Sequence, residues 1–270
     1  MKIQCRDESG VTRRRFLKQS SLAAAAVAAG GALGVEGWAE PAQGAAILDE
    51  FGYGDVTLAS DAHEAQLTNT HEVLMSLDED SLLKPFRKMA GMAAPGEDLG
   101  GWYTYDPGYD YRKHFDVGFA PGCTFGQWVS ALARAYAIHG DEKTRARVLR
   151  LNRMYAATIS GSFYEKSRFP AYTYDKLLLG LLDSHTYVKD PQAMAILAQT
   201  TKAAMPHLPG HAVEHNVRWR MDKDPNDESW TWDESYTMPE NLFLAYRRGA
   251  GRKYYDLALA YLDDKAWFDP

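Results

Sequence analysis

The chain has 270 residues, 46% of them hydrophobic and 24% charged, with a formal net charge of −6. This is an ordinary globular composition, and an acidic balance with no basic run beyond the N-terminal region argues against a nucleic-acid partner. Two cysteines exclude a disulfide framework, whereas sixteen tyrosines and seven tryptophans carry information because they crowd into the segments between helices.

The first 44 residues read as an export signal. A basic stretch from Thr12 to Lys18, with consecutive arginines at 13–15 followed by Phe16 and Leu17, precedes an apolar run from Leu22 to Leu33. A basic segment, a mildly hydrophobic stretch and small residues at the cut describe a secretory signal. Paired arginines with Phe and Leu behind them mark the twin-arginine pathway. Cleavage is expected after Ala39 or Gly44, which makes residues 1–44 signal and linker and 45–270 the folded domain. The run falls short of the roughly 20 apolar residues a membrane span requires. The mature protein is therefore expected in the periplasm or outside the cell, with no stable membrane span. Cys5 lies in the signal, which leaves Cys123 as either a small apolar core filler or a reactive thiol.

Residues 51–58 read as a short extended piece. Leu67–Met75 and Leu82–Met89 have apolar residues at helical spacing, separated by the acidic turn Asp78–Asp80. Pro95–Gly122 is a long loop rich in aromatic residues, Trp102 among them, and loops of that length inside a compact domain are usually functional. Three helical hairpins follow. The first is Phe125–Ile138, a turn at His139–Asp141, then Glu142–Ile159. The second is Tyr174–Tyr187, a turn at Lys189–Pro191, then Gln192–Met205. The third is Pro239–Arg247, a turn at Gly249–Gly251, then Lys253–Leu262. In the first two, the leading helix is apolar nearly all round. The trailing helix of the first opposes Val148, Leu149, Leu151, Met154 and Tyr155 to Arg145, Arg147, Arg150 and Arg153, the pattern of a surface helix.

Hairpins repeating at about 50 to 60 residues stack because one alone cannot bury its own apolar face. The predicted fold is all-α, with repeated hairpins forming part of an (α/α)6 toroid, leading helices inside and trailing helices outside. Turns within hairpins are short, but the links Ser160–Thr173 and His207–Thr237 are long, and both lead into a leading helix. The long links are thus expected at one end of the toroid, as the walls of a cleft. The second link ends in Trp230, Trp232, Asp233 and Glu234, after which Thr237 reads as an N-cap, Pro239 fits the first turn and Glu240 places a carboxylate at the helix start.

Two carboxylates flanking a glycosidic bond are the usual glycosidase requirement. The candidates are Asp233, Glu234 and Glu240, with Asp175 across the cleft; the alternative is that they serve as solvated loop charges, helix-dipole partners or caps. His207, His211 and His215 recur every four residues beside Glu214, but Pro209-Gly210 would break a helix there, so they are not expected to align as a metal face; zinc held by the three from one loop is the less favoured alternative. No Gly-rich phosphate loop and no Gly-x-Ser-x-Gly elbow is present.

Three stretches, Gly122–Leu132, Tyr172–Asp183 and Met238–Leu242, resemble the starts of inner helices in the β-L-arabinofuranosidase-type glycoside hydrolases of family 127, whose catalytic domain is an (α/α)6 barrel. The resemblance spans Asp55 to Pro270. It implies an exported glycosidase acting on plant-type or other arabinose-containing glycans. In such an enzyme Gln127, Asp175 and Glu240 would shape the glycone pocket, and Trp102, Trp230 and Trp232 would stack on sugar faces. Relatives often carry histidines where this chain has Cys123, Gln127 and Asp175. They also use a cysteine nucleophile beside a zinc held by further cysteines and a glutamate, in the later half of the barrel. Cys123 alone cannot form such a site. On this comparison the chain supplies the front half of the barrel, zinc is expected only with further C-terminal residues, and whether this chain is itself an enzyme stays open. The alternative is a sugar-binding half-toroid without catalysis, whose uncovered hairpin flanks would favour self-association.

Overall fold

The computed structural model describes residues 3–5, 50–108, 117–166, 170–208, 210–212 and 235–262. Apart from residues 3–5, the expected export signal lies outside the described residues, as do its cleavage sites and Trp230, Trp232, Asp233, Glu234, Glu214 and His215. The chain separates into two compact units, Met1–Ala65 and Gln66–Pro270. In the first, β1 (Ile3–Cys5) pairs antiparallel with β2 (Val56–Leu58), Ile3 opposite Leu58. The extended piece expected at 51–58 is thus a one-turn 3-10 segment, Tyr53–Asp55, followed by a short strand.

Helix α1 (Asp61–Ser76) begins in the first unit and runs into the second, where α2 (Glu79–Met89) follows it. The acidic turn between them is a cap. Asp78 accepts hydrogen bonds from the Ser81 amide and hydroxyl, both at 2.7 Å, and so satisfies donors that the helix leaves open. Those two bonds, the hydroxyl's first, hold the Asp78 carboxyl below its ordinary 3.8. A group whose folded-state pKa is depressed stabilises the fold above its unfolded value, and that contribution is lost as pH falls through the folded one. Asp78→Ala is therefore expected to cost about 1 kcal/mol at neutral pH. The gap from wild type should close in thermal melts taken progressively below pH 3.8.

The three hairpins form as the sequence predicts. They are α3 (Phe125–His139) with α4 (Glu142–Ala156), α6 (Pro170–Asp183) with α7 (Ala193–Ala204), and α8 (Met238–Arg247) with α9 (Arg252–Leu262). Each leading helix packs on its own trailing helix, α3 packs on α6, and α6 packs on α8. The first turn closes because Gly140 adopts φ +67, a left-handed conformation that glycine takes without strain, and because Asp141 then caps α4 through the Lys143 and Thr144 amides. The second turn is less regular. Helix α6 ends in a π-helical turn, Ser184–Val188, before left-handed Lys189, while Asp190 accepts from Asn152 of α4 at 2.8 Å and ties the two hairpins together.

The link expected at Ser160–Thr173 is not an open loop. It holds a short helix, α5 (Gly161–Lys166), and the first turn of α6, where Pro170 occupies a position that tolerates a missing N–H. Phe163 and Tyr164, expected to face a cleft, are buried in the core. The Phe163 ring stacks on Phe86 at 4.9 Å, and Phe86 also meets Phe125 and Tyr155 edge-on at 5.3 and 5.4 Å. One aromatic ring of α2 thereby joins α3, α4 and α5 in a single core.

Helices α3 and α6 run the same way and touch backbone to backbone. A Cβ at Gly126 would lie 1.9 Å from the Lys176 carbonyl oxygen, and one at Gly180 would lie 2.6 Å from the Gly126 carbonyl oxygen. Further along, Asp183 accepts from Ser130 at 2.6 Å and from Arg134 at 2.7 Å, so the same pair of helices is also joined by charge-assisted bonds.

Candidate functional site

The parallel run of α3 and α6 places the starts of the leading helices together. Gly126, the second residue of α3, is level with Lys176, the seventh of α6, so α6 begins about one and a half turns earlier. The start of α8 meets α6 at Asp175, which accepts from Thr237 Oγ1 at 2.9 Å and from Asn241 Nδ2 at 2.8 Å. The loop bearing Trp102 is sewn onto the approach to α3: the Ala120 amide donates to the Trp102 carbonyl and the Gly122 amide to the Tyr103 carbonyl, both at 3.0 Å. Gln127, Asp175, Glu240 and the Trp102 loop are thus attached at the starting ends of α3, α6 and α8.

Their exposures differ, and so do the roles open to them. Trp102 is 51% exposed, and its ring makes a T-shaped contact with Phe119 at 5.5 Å between centroids. Gln127 is half-buried and Glu240 is exposed. Asp175 is fully buried. Its carboxylate is shared by Thr237, Asn241 and Lys176, whose Nζ lies 3.0 Å from Oδ2. Any effect Asp175 has on a ligand therefore passes through those three neighbours. Thr237 does stand at the N-cap position of α8, but its hydroxyl bonds Asp175 rather than a helix amide, so tertiary contact overrides local capping. Cys123 is a buried free thiol two residues before α3.

Lys176 is the group that sequence reasoning passed over. Its side chain is only 13% exposed, and its ammonium is paired with Asp175 and rests 4.6 Å from the centre of the Tyr172 ring, one helical turn away on α6. The signal was present as an Asp-Lys pair at the head of an otherwise apolar helix. Asn241 is its counterpart on α8, inside the stretch Met238–Leu242.

A different concavity lies elsewhere. An open groove of about 510 Å³ is lined by residues of the α1–α2 turn and by Arg147, Arg150 and Met154 of α4, and by none of the residues above. Its charges are matched internally: Arg150 pairs with Glu79 at 2.7 Å, and Arg147 sits 3.5 Å from the same carboxylate. Among the described residues no group of three or more His, Cys, Asp and Glu side chains is arranged to hold a metal. Among the described residues a lone buried thiol, Cys123, does not fit a thiolate zinc site.

Stacked helical hairpins, with polar groups and a half-exposed indole gathered at the starts of the leading helices, define an all-α hairpin fold. A family model for the β-L-arabinofuranosidase GH127 catalytic domain matches residues 55–270, and the chain belongs to that family. It is thus a glycosidase-type domain, with a carbohydrate as the substrate the family implies. Among curated proteins, none matches the chain. No helix among the described residues is long and apolar enough to cross a membrane.

Proposed function

We propose that the protein is an exported glycoside hydrolase acting on arabinose-containing glycans, plant-type glycans among them, with its glycone pocket at the starting ends of α3, α6 and α8. The observation that carries this reading is the joining of those three ends through Gly126, Asp175, Thr237 and Asn241, in a chain whose family cleaves β-L-arabinofuranosides. Gln127 and Glu240 are the groups that meet sugar hydroxyls, Trp102 stacks on a sugar face, and Asp175 shapes the pocket from beneath. Trp230, Trp232, Asp233 and Glu234 enter the same reading through the link that precedes α8, with Glu240, Asp233 and Glu234 as the acid or base candidates. The hairpins are part of an (α/α)6 ring, and the twin-arginine segment directs the folded protein to the periplasm or beyond.

The test is turnover of aryl β-L-arabinofuranosides and of arabinose-containing oligosaccharides, together with binding of the same sugars by calorimetry. Hydrolysis is expected. Gln127→Ala and Trp102→Ala should each weaken substrate binding by about threefold to tenfold, as loss of one hydrogen bond or one stacking face would. Binding without hydrolysis would favour the sugar-binding reading, and neither binding nor hydrolysis would overturn both.

A further inference from the structure

The ammonium of Lys176 has more donors than the described residues use. Among the described residues, Asp175 is its only hydrogen-bond acceptor, and the Tyr172 ring covers one side. An ammonium carries three donors, so two N–H bonds are left over on a side chain only 13% exposed. A donor so nearly withdrawn from water is costly unless an acceptor reaches it. Asp175 Oδ2 also receives the Thr237 hydroxyl, so Lys176 Nζ and Thr237 Oγ1 converge on one oxygen where α6 meets the start of α8. Two buried hydroxyls lie near this pair in sequence, Thr173 and Ser235, and among the described residues neither has a hydrogen-bond partner.

We infer that Lys176 is a sugar-contacting residue of the pocket, donating to a hydroxyl oxygen of a neutral sugar, and that Asp175 is the positioning residue that fixes its ammonium in place. This rests on the glycosidase reading above. The pairing explains the ligand class: the Asp175 carboxylate cancels the Lys176 charge, so the site offers directed donors without attracting anions. Tyr172 and Asp175 hold the ammonium from two sides, which lowers the entropy lost when a sugar binds.

The test is calorimetric titration of L-arabinose and an aryl β-L-arabinofuranoside into wild type, Lys176→Met and the double variant Asp175→Asn/Lys176→Met. The double variant removes both charges, so it does not strand a buried carboxylate as the single one does. Binding by wild type and a loss of about tenfold to hundredfold in both variants, with a cooperative melt retained by the double variant, is the expected result. A further arm uses D-galacturonate, which should bind no more tightly than L-arabinose. Unchanged sugar affinity in the melt-competent double variant, or a preference for the uronate, would overturn the assignment while leaving the glycosidase reading intact. No binding of either arabinose sugar by wild type would instead remove the glycosidase reading, and this inference with it.

Discussion

Gly126→Ala is expected to destabilise the protein by about 3 kcal/mol or more, the largest effect of an added methyl group among the described glycines. In most exposed helix interiors the same substitution stabilises by about 1 kcal/mol, because alanine is the better helix former. The sign reverses here because the new Cβ would lie 1.9 Å from the Lys176 carbonyl oxygen and 2.2 Å from its carbon. These are backbone atoms of a neighbouring helix, so no side chain can swing aside. Helices α3 and α6 must separate, and the Asp183 bonds to Ser130 and Arg134 stretch with them. Thermal melting should fall by about 6 to 12 °C. Gly161→Ala supplies the control, because nothing lies within 4 Å of a Cβ there. If both variants melt together with wild type, the close approach is wrong.

The second large effect is at Thr201. Its hydroxyl donates to the Leu197 carbonyl at 2.7 Å, which uses its only hydrogen. Tyr174 and Tyr254 must therefore both donate to the Thr201 oxygen, at 3.0 and 2.9 Å. One atom of α7 thus satisfies two buried phenols, one from α6 and one from α9. Thr201→Val keeps the shape but leaves both phenols without an acceptor, at a cost of about 2 to 4 kcal/mol. Tyr174→Phe in the Thr201→Val background should recover part of that loss, giving a coupling energy in a double-mutant cycle measured by denaturant unfolding. Additive costs would show that the three hydroxyls do not form one network. Thr201→Ser, which keeps the oxygen, should be much milder.

The hairpins were legible because local signals agreed with the global arrangement. His139-Gly140-Asp141 supplies a left-handed stop and a cap in three residues, and Arg150 and Arg153 mark the outer side of α4. Arg147, expected on that side, is instead buried, its Nη1 3.5 Å from the Glu79 carboxylate. The short α5 was hidden because six residues are too few for a 3.6-residue period to show, and its Phe163 and Tyr164 read as cleft aromatics. The Phe86 ring, 77 residues before Phe163 in sequence, packs Phe163 inward, while Tyr164 packs on Phe163 and on His207. Asp175 was legible as a polar group at a helix start, but its burial was not. Its partners Thr237 and Asn241 lie 62 and 66 residues away, and nothing near Asp175 announces them. Lys176 was overlooked because a lysine beside an aspartate reads as a solvated pair until its exposure is known. Thr237 shows the reverse case, a correct position whose hydroxyl serves another helix.

The starting ends of the leading helices are held in two unlike ways. On the α3–α6 side the contact is peptide against peptide, with no rotatable bond between the two and so no room for sliding. On the α6–α8 side the join is made of side chains, with Thr237 and Asn241 reaching to one carboxylate. Rotamers can change there at the cost of a hydrogen bond. Displacing the third hairpin relative to the second thus costs hydrogen bonds to one carboxylate, whereas displacing the first relative to the second means parting two backbones already in contact.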